Sequence, residues 1–410
     1  MKILHIAEQG SGGGAESVFR ESVMLLKKYD DSNTHLVACK KSMNLPFDID
    51  YSFSHEISKT QLIYSFRYKI ELEKILIHAK PNIVHLHHTG LLSSSILHVL
   101  WKYKRLNSGF RVVQTAHTFE HICSHHAAYD YNKSIRCVDC SRDRYKFKIF
   151  YRNCSRSGYF HSVAKGISSL ISHFFYKRKV IDVIIVPSEF MKSTILDSKL
   201  HDQDKILVLD NPVSKGFLNQ GPHIDKVDQI IYFGRLSDEK NVQLILRAFA
   251  LYAKKNHNPY SLLIIGEGPD ADVLKSLSKE LELTHLVTFM PFMQHIELQK
   301  YLSASKISVL ASKCYENAPM MILESLAFNI IPIVCNHGGM KEMVSKFGFG
   351  VMFDGDSTES LAQKISYVVS SYDKFLNESD LARNLAKSHL AQNNYVFELT
   401  KIYLGVIGDE

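Results

Sequence analysis

The 410-residue chain has no run of eighteen apolar residues anywhere, so a membrane-spanning helix is not expected. Its opening, MKILHIAEQG, is interrupted by Glu8 and is too short an apolar run for a secretory leader. Low-complexity tracts and short-period repeats are also missing, so neither a disordered chain nor a repeat array is expected. Charge of one sign is not in large excess: 49 Lys and Arg stand against 42 Asp and Glu, a net of +7. That suits small anions or an acidic membrane face and falls short of what nucleic-acid binding requires. Cysteine is scarce, seven in all. The expectation is a soluble, cytoplasmic protein, with 45% hydrophobic residues spread over two domain cores.

What is present is a steady alternation of apolar, β-branched runs with longer periodic segments. The runs KILHIAE (2–8), THLVAC (34–39), NIVHLHH (82–88), RVVQTAH (111–117), VIIVPS (183–188) and KILVLDNP (205–212) form a first set. A Gly-, Pro- and polar-rich stretch follows, and the rhythm restarts with QIIYFG (229–234), SLLIIGE (261–267), LVTFMP (286–291), ISVLAS (307–312) and IPIVC (331–335). Continuous apolar runs of this kind predict parallel sheets covered on both faces. The chain therefore reads as two doubly wound α/β domains in tandem around a cleft. In such sheets ligands bind beyond the carboxyl ends of the strands.

Four strand ends carry candidate chemistry. EQGSGGGAES (8–17) has the spacing G-x-G-x-x-A at Gly10, Gly12 and Ala15, but Lys40 and Lys41 stand where a dinucleotide-binding unit needs an acid for the ribose. A glycine loop that lets backbone N–H groups approach an anion and an ordinary strand-to-helix turn both remain open. FGRLSDEKN places Arg235 and Lys240 beside a helix start expected at Asn241, either as a diphosphate-binding pair or as solvated surface charges. IIGEGPDADVLK offers Gly266, Glu267 and Gly268, with Asp270 as the expected helix cap. The D-x-D pairs Asp270/Asp272 and Asp48/Asp50 read as caps or loop residues, not metal ligands. Finally, SKCYENAPMMILESLAFN (312–329) sets Glu316 and Glu324 eight apart around Pro319, which is suited to the first helical position, with Asn329 as a left-handed cap. The helix start, fronted by Glu316, Asn317 and Ala318, offers N–H groups and a positive dipole end to an anion. A dipole partnership would explain Glu316 but not Glu324, more than a turn inside.

The series GGGAES, GRLSDEKN, IIGEGP and ENAPMMILE resembles the family 4 glycosyltransferases of the GT-B fold, over nearly the whole chain. The resemblance implies two Rossmann-like domains: an acceptor-side domain at 1–210, a linker at 211–228, and a nucleotide-sugar-binding domain at 229–390. A C-terminal helix at 391–410 is expected to pack back toward the N-terminal domain. It further implies a nucleotide-diphosphate sugar donor, with Arg235 and Lys240 on the diphosphate, Glu316 on the transferred sugar and Glu324 on the ribose. Gly12, Gly13, Gly14, Gly266, Glu267, Asn317, Ala318, Pro319 and Met320 would complete the donor site, and His117 in QTAHTF would lie near the donor sugar. Catalysis would fall to His117, Glu316, Arg235 and Lys240, with retention of configuration and no catalytic metal. UDP is the expected nucleotide and a bacterial surface polysaccharide the expected product. Two other readings stay open: a sugar-nucleotide epimerase, and a non-catalytic nucleotide-sugar-binding subunit.

A separate constellation lies at Cys123, Cys137, Cys140 and Cys154, spaced C-x13-C-x2-C-x13-C. It reads either as a structural zinc site folding an insertion at about 120–158 or as four free thiols. His121, His125 and His126 are alternative ligands or acceptor-site residues. Just beyond, RDRYKFKIFYRNCSRSGYF (142–160) and HFFYKRK (173–179) interleave basic and aromatic residues. That pattern suits peripheral contact with an anionic membrane and a polyprenyl-diphosphate-linked acceptor, or simply an amphipathic helix with a solvated face.

Overall fold

Every strand expected from the apolar runs forms. The computed structural model describes residues 1–9, 13–40, 45–54, 59–88, 92–141, 146–212, 226–389 and 391–408. Gly10 and Gly12 of the glycine loop, and most of the stretch expected as a linker, lie outside these described residues. The chain divides into two compact units, Met1–Pro212 with Ala391–Glu410, and Val213–Leu390.

In the first unit the strands are β1 (Lys2–Gln9), β2 (Thr34–Lys40), β3 (Tyr51–Phe53), β4 (Ile83–Leu86) and β5 (Arg111–Thr115), then the hairpin β6 (Tyr129–Asp130) and β7 (Ile135–Arg136), then β8 (Val183–Val186) and β9 (Ile206–Val208). Seven of them make a sheet in the order β3-β2-β1-β4-β5-β8-β9, parallel throughout. The order turns around between β1 and β4, which is the switch point where open sheets bind ligands. One face is covered by the helix Gly14–Tyr29 and the C-terminal helix Gln392–Gly408. There Ile3, Ile83, Val113 and Ile185 pack with Val396, Leu399, Tyr403 and Val406. Apart from Tyr403, each is a β-branched or leucine-sized side chain almost removed from water, worth roughly 1.5–3 kcal/mol for the larger ones.

The second unit has β10 (Gln229–Phe233), β11 (Ser261–Ile265), β12 (Val287–Met290), β13 (Ile307–Leu310), β14 (Ile331–Cys335) and β15 (Val351–Phe353). They form a parallel sheet in the order β12-β11-β10-β13-β14-β15. Both units are Rossmann-like parallel α/β sheets. The strands that the sequence did not announce, β3, β15 and the β6–β7 hairpin, span two or three residues each, too few to set up an alternation. Among the described residues no helix is long and apolar enough to cross a membrane.

Candidate functional site

In the second unit, four loops converge at the carboxyl edge of the sheet. The loops after β10 and β11 are laced together: Gly234 N donates to Ile265 O at 3.0 Å, Leu236 N to Glu267 O at 2.8 Å and Asp270 N to Leu236 O at 3.1 Å. That closeness demands glycine. A Cβ on Gly266 would sit 1.9 Å from Gly234 O, and one on Gly268 2.0 Å from Leu236 O. The loop after β14 closes in the same way, since Gly339 N donates to Glu316 O at 2.8 Å. A Cβ on Gly339 would meet Asn317 O at 1.8 Å. The glycines thus fix where the Glu316 segment stands relative to the sheet.

Within this frame Lys240 ends a short 3-10 turn, Asp238–Lys240, and Asn241 adopts a left-handed conformation before the helix Val242–Lys254. The helix starts one residue later than the sequence suggested, because Asn241 turns the chain instead of entering the helix. The turn is held from the loop after β13, where Lys313 N donates to Glu239 O at 2.8 Å and Lys313 Nζ to Asp238 Oδ1 at 2.7 Å. Its geometry delivers Lys240 Nζ to Glu316 Oε1 at 2.5 Å, and Ser312 Oγ donates to the same oxygen at 2.6 Å. Burial works to raise the Glu316 carboxyl, but Lys240 and the hydrogen bonds from Lys240, Ser312 and Cys314 outweigh it and hold it below the usual range. Glu316 is therefore ionised. Arg235 is exposed at the same edge, so the expected Arg235–Lys240 pair is divided: one cation is committed to a carboxylate, the other faces solvent.

The helix that follows runs Met320–Ala327, with Asn329 left-handed at φ 53°. Pro319 is not its first residue. It stands at the N-cap with φ −68° and ψ 118°, because its extended ψ lets the chain turn into the helix at Met320 while its carbonyl still accepts from Ile322 N at 3.0 Å. Ala318 and Met320 flank it, half-buried. Glu324 is 6% exposed, and burial pushes its carboxyl up to about 7. The two glutamates of one sequence element are thus shifted in opposite directions. Glu267 is exposed after β11, and Asp270 stands at the N-cap of the helix Ala271–Glu280, as expected, but its side chain makes no capping hydrogen bond to that helix. Its φ of −94° and ψ of 2° lie outside the extended region from which a capping side chain reaches back to the N–H groups.

In the first unit, Gly12 lies outside the described residues. Gly13 is the N-cap of the helix Gly14–Tyr29, and a Cβ on Gly14 would meet nothing. Two acids missed by the sequence reading stand beside this turn: His88 Nε2 lies 3.5 Å from Glu8 Oε2 and 3.9 Å from Glu16 Oε1. Glu8 ends the apolar part of β1, a position that could have marked it. His117 follows β5, with its ring stacked on His87 at 6.0 Å and 17°. Burial, then the charge of His88, pull it down to about 3, so it is neutral near pH 7.

The Cys-rich segment folds around the β6–β7 hairpin, where Cys137 N donates to Ala128 O at 3.0 Å and Tyr131 N to Cys154 O at 3.1 Å. All four cysteines are free. They are neighbours: burial first, then the other three thiols of the group, push Cys140 up to about 12. Zinc would need sulfurs roughly 3.8 Å apart, from Zn–S bonds of about 2.3 Å. Among the described residues, the group of three or more metal-ligating side chains with ligand atoms within 4.8 Å of one another is His5, His85 and His87, and the four thiols are not gathered to that spacing. His121 is instead tied to His201 at 3.1 Å.

Comparison with known proteins places this geometry. The model described as Glycosyltransferase Family 4 matches residues 12–216, and that of Glycosyl transferases group 1 matches residues 217–388. The chain is 25% identical over 272 residues to the alpha-monoglucosyldiacylglycerol synthase of Streptococcus pneumoniae, covering 61% of this chain and 58% of that one. It is 28% identical over 174 residues to the N-acetylgalactosamine-N,N'-diacetylbacillosaminyl-diphospho-undecaprenol 4-alpha-N-acetylgalactosaminyltransferase of Campylobacter jejuni, covering 42% and 44%. The chain spans about half the length of the curated relatives it matches. Among solved structures, Anabaena HepE in complex with UDP shares the fold at a TM-score of 0.72 and 14% identity, over 99% of this chain and 100% of that one. With one family model covering half of the chain and the other most of the remainder, the chain belongs to glycosyltransferase family 4.

Proposed function

We propose that the protein transfers a sugar from a nucleotide-diphosphate sugar, UDP rather than GDP, to a hydroxyl of a glycan or polyprenyl-diphosphate-linked acceptor, with retention of anomeric configuration. The observation that carries this reading is the Lys240–Glu316–Ser312 cluster, held by glycine-packed loops at the carboxyl edge of a parallel sheet. On this reading the unit Val213–Leu390 takes the donor and the unit containing β1 takes the acceptor. Arg235, Lys240 and the N-terminus of the helix Met320–Ala327 face the diphosphate, and Gly266, Glu267, Asn317, Ala318, Pro319 and Met320 shape the site around it. Glu316 meets the hydroxyls of the transferred sugar and Glu324 those of the ribose. Breaking the anomeric bond moves negative charge onto the diphosphate, so fixed cations and a helix dipole stabilise the transition state without assigning the reaction a metal. The acceptor hydroxyl attacks from the face the diphosphate leaves. Gly12, Gly13, Gly14 and His117 also count among the residues that recognise the donor sugar.

Two subsidiary assignments belong to the same proposal. Phe147, Tyr151, Tyr159, Phe160 and Phe174 are exposed, and Arg178 lies 3.4 Å over Phe174, which suits an anionic membrane face presenting a lipid-linked acceptor for surface-polysaccharide assembly. Cys123, Cys137, Cys140 and Cys154 would take a structural zinc by drawing together around the hairpin, and elemental analysis reads this directly. The central test is calorimetric titration with UDP-, GDP-, ADP- and CMP-sugars. One UDP-sugar is expected to bind, with at least tenfold weaker binding in Lys240→Ala and Glu324→Ala. No binding to folded protein by any member of the panel would overturn the donor assignment.

A further inference from the structure

On the helix-covered face of the first sheet, below its apolar rows, β1, β2 and β4 contribute a row of histidines. His5 and His85 are register partners in adjacent strands, and His87 is two residues further along β4's line. His5, His85 and His87 are each 1% exposed or less, and His35 is 7% exposed. Their hydrogen bonds form one continuous chain. Asp30 Oδ2 lies 3.0 Å from His35 Nε2, His35 Nδ1 lies 3.0 Å from His5 Nε2, and His5 Nδ1 lies 3.1 Å from His87 Nε2. His87 Nδ1 is buried and has no hydrogen-bond partner among the described residues. His85 stands beside the chain, its ring 4.0 Å from that of His87, and is satisfied separately by Tyr403 OH at 2.6 Å and Thr115 Oγ1 at 2.8 Å.

The direction of this chain follows from its first member. Burial works to raise Asp30, but hydrogen bonds from Asn33 and His35 outweigh it and keep the carboxyl below its usual range. An ionised carboxylate only accepts, so His35 carries its proton on Nε2. A neutral imidazole has one N–H, so His35 Nδ1 must accept from His5 Nε2–H, and His5 Nδ1 from His87 Nε2–H. Burial, then neighbouring imidazoles, drive His5 and His87 well below their usual values, so both are neutral. The charged groups that act on the chain from its surroundings are Lys27 of the first helix and the N-terminal amine. Each opposes an imidazolium here.

We infer that Asp30, His35, His5 and His87 form a tautomer-locked proton relay across the sheet, which leaves His87 Nδ1 as a bare, enclosed proton acceptor beside His117. A proton taken up there from a hydroxyl forms His87 Nδ1–H. His87 Nε2–H then passes to His5 Nδ1, His5 Nε2–H to His35 Nδ1, and His35 Nε2–H to Asp30. The hydroxyl oxygen loses its proton as it bonds to the anomeric carbon and the diphosphate leaves with the bonding pair, so no free alkoxide forms; Asp30 becomes neutral, and each imidazole ends neutral with its proton moved from Nε2 to Nδ1. No buried imidazolium is formed at rest in either end state, which is what a low-dielectric site permits. That the hydroxyl belongs to a sugar acceptor rests on the glycosyl-transfer reading; the tautomer pattern does not. Nitrogen atoms of His5, His85 and His87 within 4.8 Å of one another could instead attract a cation. Both ring nitrogens of His5 and of His85 are already engaged, and no carboxylate in the group would neutralise the charge.

The test uses the full chain with histidine labelled at both ring nitrogens. Long-range proton–nitrogen correlation spectra near pH 7 are expected to show His5, His35 and His87 as the Nε2–H tautomer, with a bare Nδ1 on each. An Nδ1–H form or an imidazolium at any of the three, or a metal ion bound to the nitrogens of His5, His85 or His87, would overturn the relay. Asp30→Leu removes the fixed acceptor, and the three rings are then expected to change tautomer together. Unchanged tautomers in a folded Asp30→Leu protein would also overturn it, and the wild-type spectrum decides the matter if that variant does not fold. Failure of donor binding in the calorimetric panel would leave these spectra untouched, so the two readings fail separately.

Discussion

At the carboxyl edge of the β10–β15 sheet, a half-buried carboxylate is kept charged by a cation 2.5 Å away. At the switch point of the β1–β9 sheet, a row of buried imidazoles is kept neutral and joined one to another. Both sheets have the same architecture and both bury titratable side chains where ligands of open sheets bind. They differ in how the desolvation penalty is offset. The first site holds fixed charge, which suits an anionic ligand whose own charge completes the arrangement. The second joins neutral imidazoles to one carboxylate, Asp30, at the far end of their row, which suits a neutral hydroxyl and the movement of a proton. One family of folds thus supplies two chemical environments by the choice of side chains at equivalent edges.

The largest expected effect comes from breaking the charged site at one partner. Lys240→Met strands Glu316, whose side chain is only 15% exposed. A stability loss of about 3 kcal/mol is expected, at the low end of what losing one partner of a buried pair costs, because Lys240 is itself 26% exposed. Adding Glu316→Gln should restore most of that stability in urea denaturation while sugar-nucleotide binding stays lost. If the double variant bound a UDP-sugar as wild type does, the charged site would have no role in binding.

An effect of similar size separates the two glutamates by pH. Glu324 is raised in the folded protein from 4.5 to about 7. The folded state therefore holds a proton that the unfolded chain has released between these values, so the stabilisation is complete below about 4.5 and is lost as pH rises toward 7. Glu324→Gln is expected to be more stable than wild type by about 3 kcal/mol at pH 8, with the difference closing at low pH. Equal stabilities across the whole range would show that Glu324 ionises in the fold without penalty. Glu316, shifted the other way, should show no such gain on replacement by Gln.

The smallest effect sharpens the neutral side of the comparison. Tyr403→Phe removes the hydroxyl 2.6 Å from His85 Nδ1 while keeping the ring that packs under β1 and β4. A loss of about 1 kcal/mol is expected, typical of one hydrogen bond between neutral groups. A loss of 3 kcal/mol or more, of the size expected at Lys240, would mean that His85 carries charge and that the contrast between the sheets is false.

Much of this could be read from residues in order. Continuous β-branched runs such as IVHL and VIIV fixed the strands and their burial on both faces, because a parallel strand has no solvent side to mark with alternation. Glu316, Lys240, Gly266 and Gly268 were legible from spacing and from their positions after strands. Pro319 was displaced by one residue, since the fixed φ of proline suits both the N-cap and the first helical position and only ψ distinguishes them. The pairing of Lys240 with Glu316 was not legible, because it depends on Gly339 and Gly266 allowing separate loops to touch. Nor was the histidine row: His5, His35, His85 and His87 are scattered over some eighty positions, and each alone reads as a polar interruption in an apolar strand.

The sequence by itself determined the two parallel sheets, the family, and the residue types at the strand ends, because these depend on local periodicity and short-range spacing. Only the tertiary structure decided which side chains meet, and hence which are charged. Desolvation and Coulomb energies depend on distances across strands and loops, so Glu316 is ionised beside Lys240 while Glu324 is held toward its neutral form eight residues away. The same dependence turns Asp30, of no note in the sequence, into the group that sets the polarity of three buried histidines.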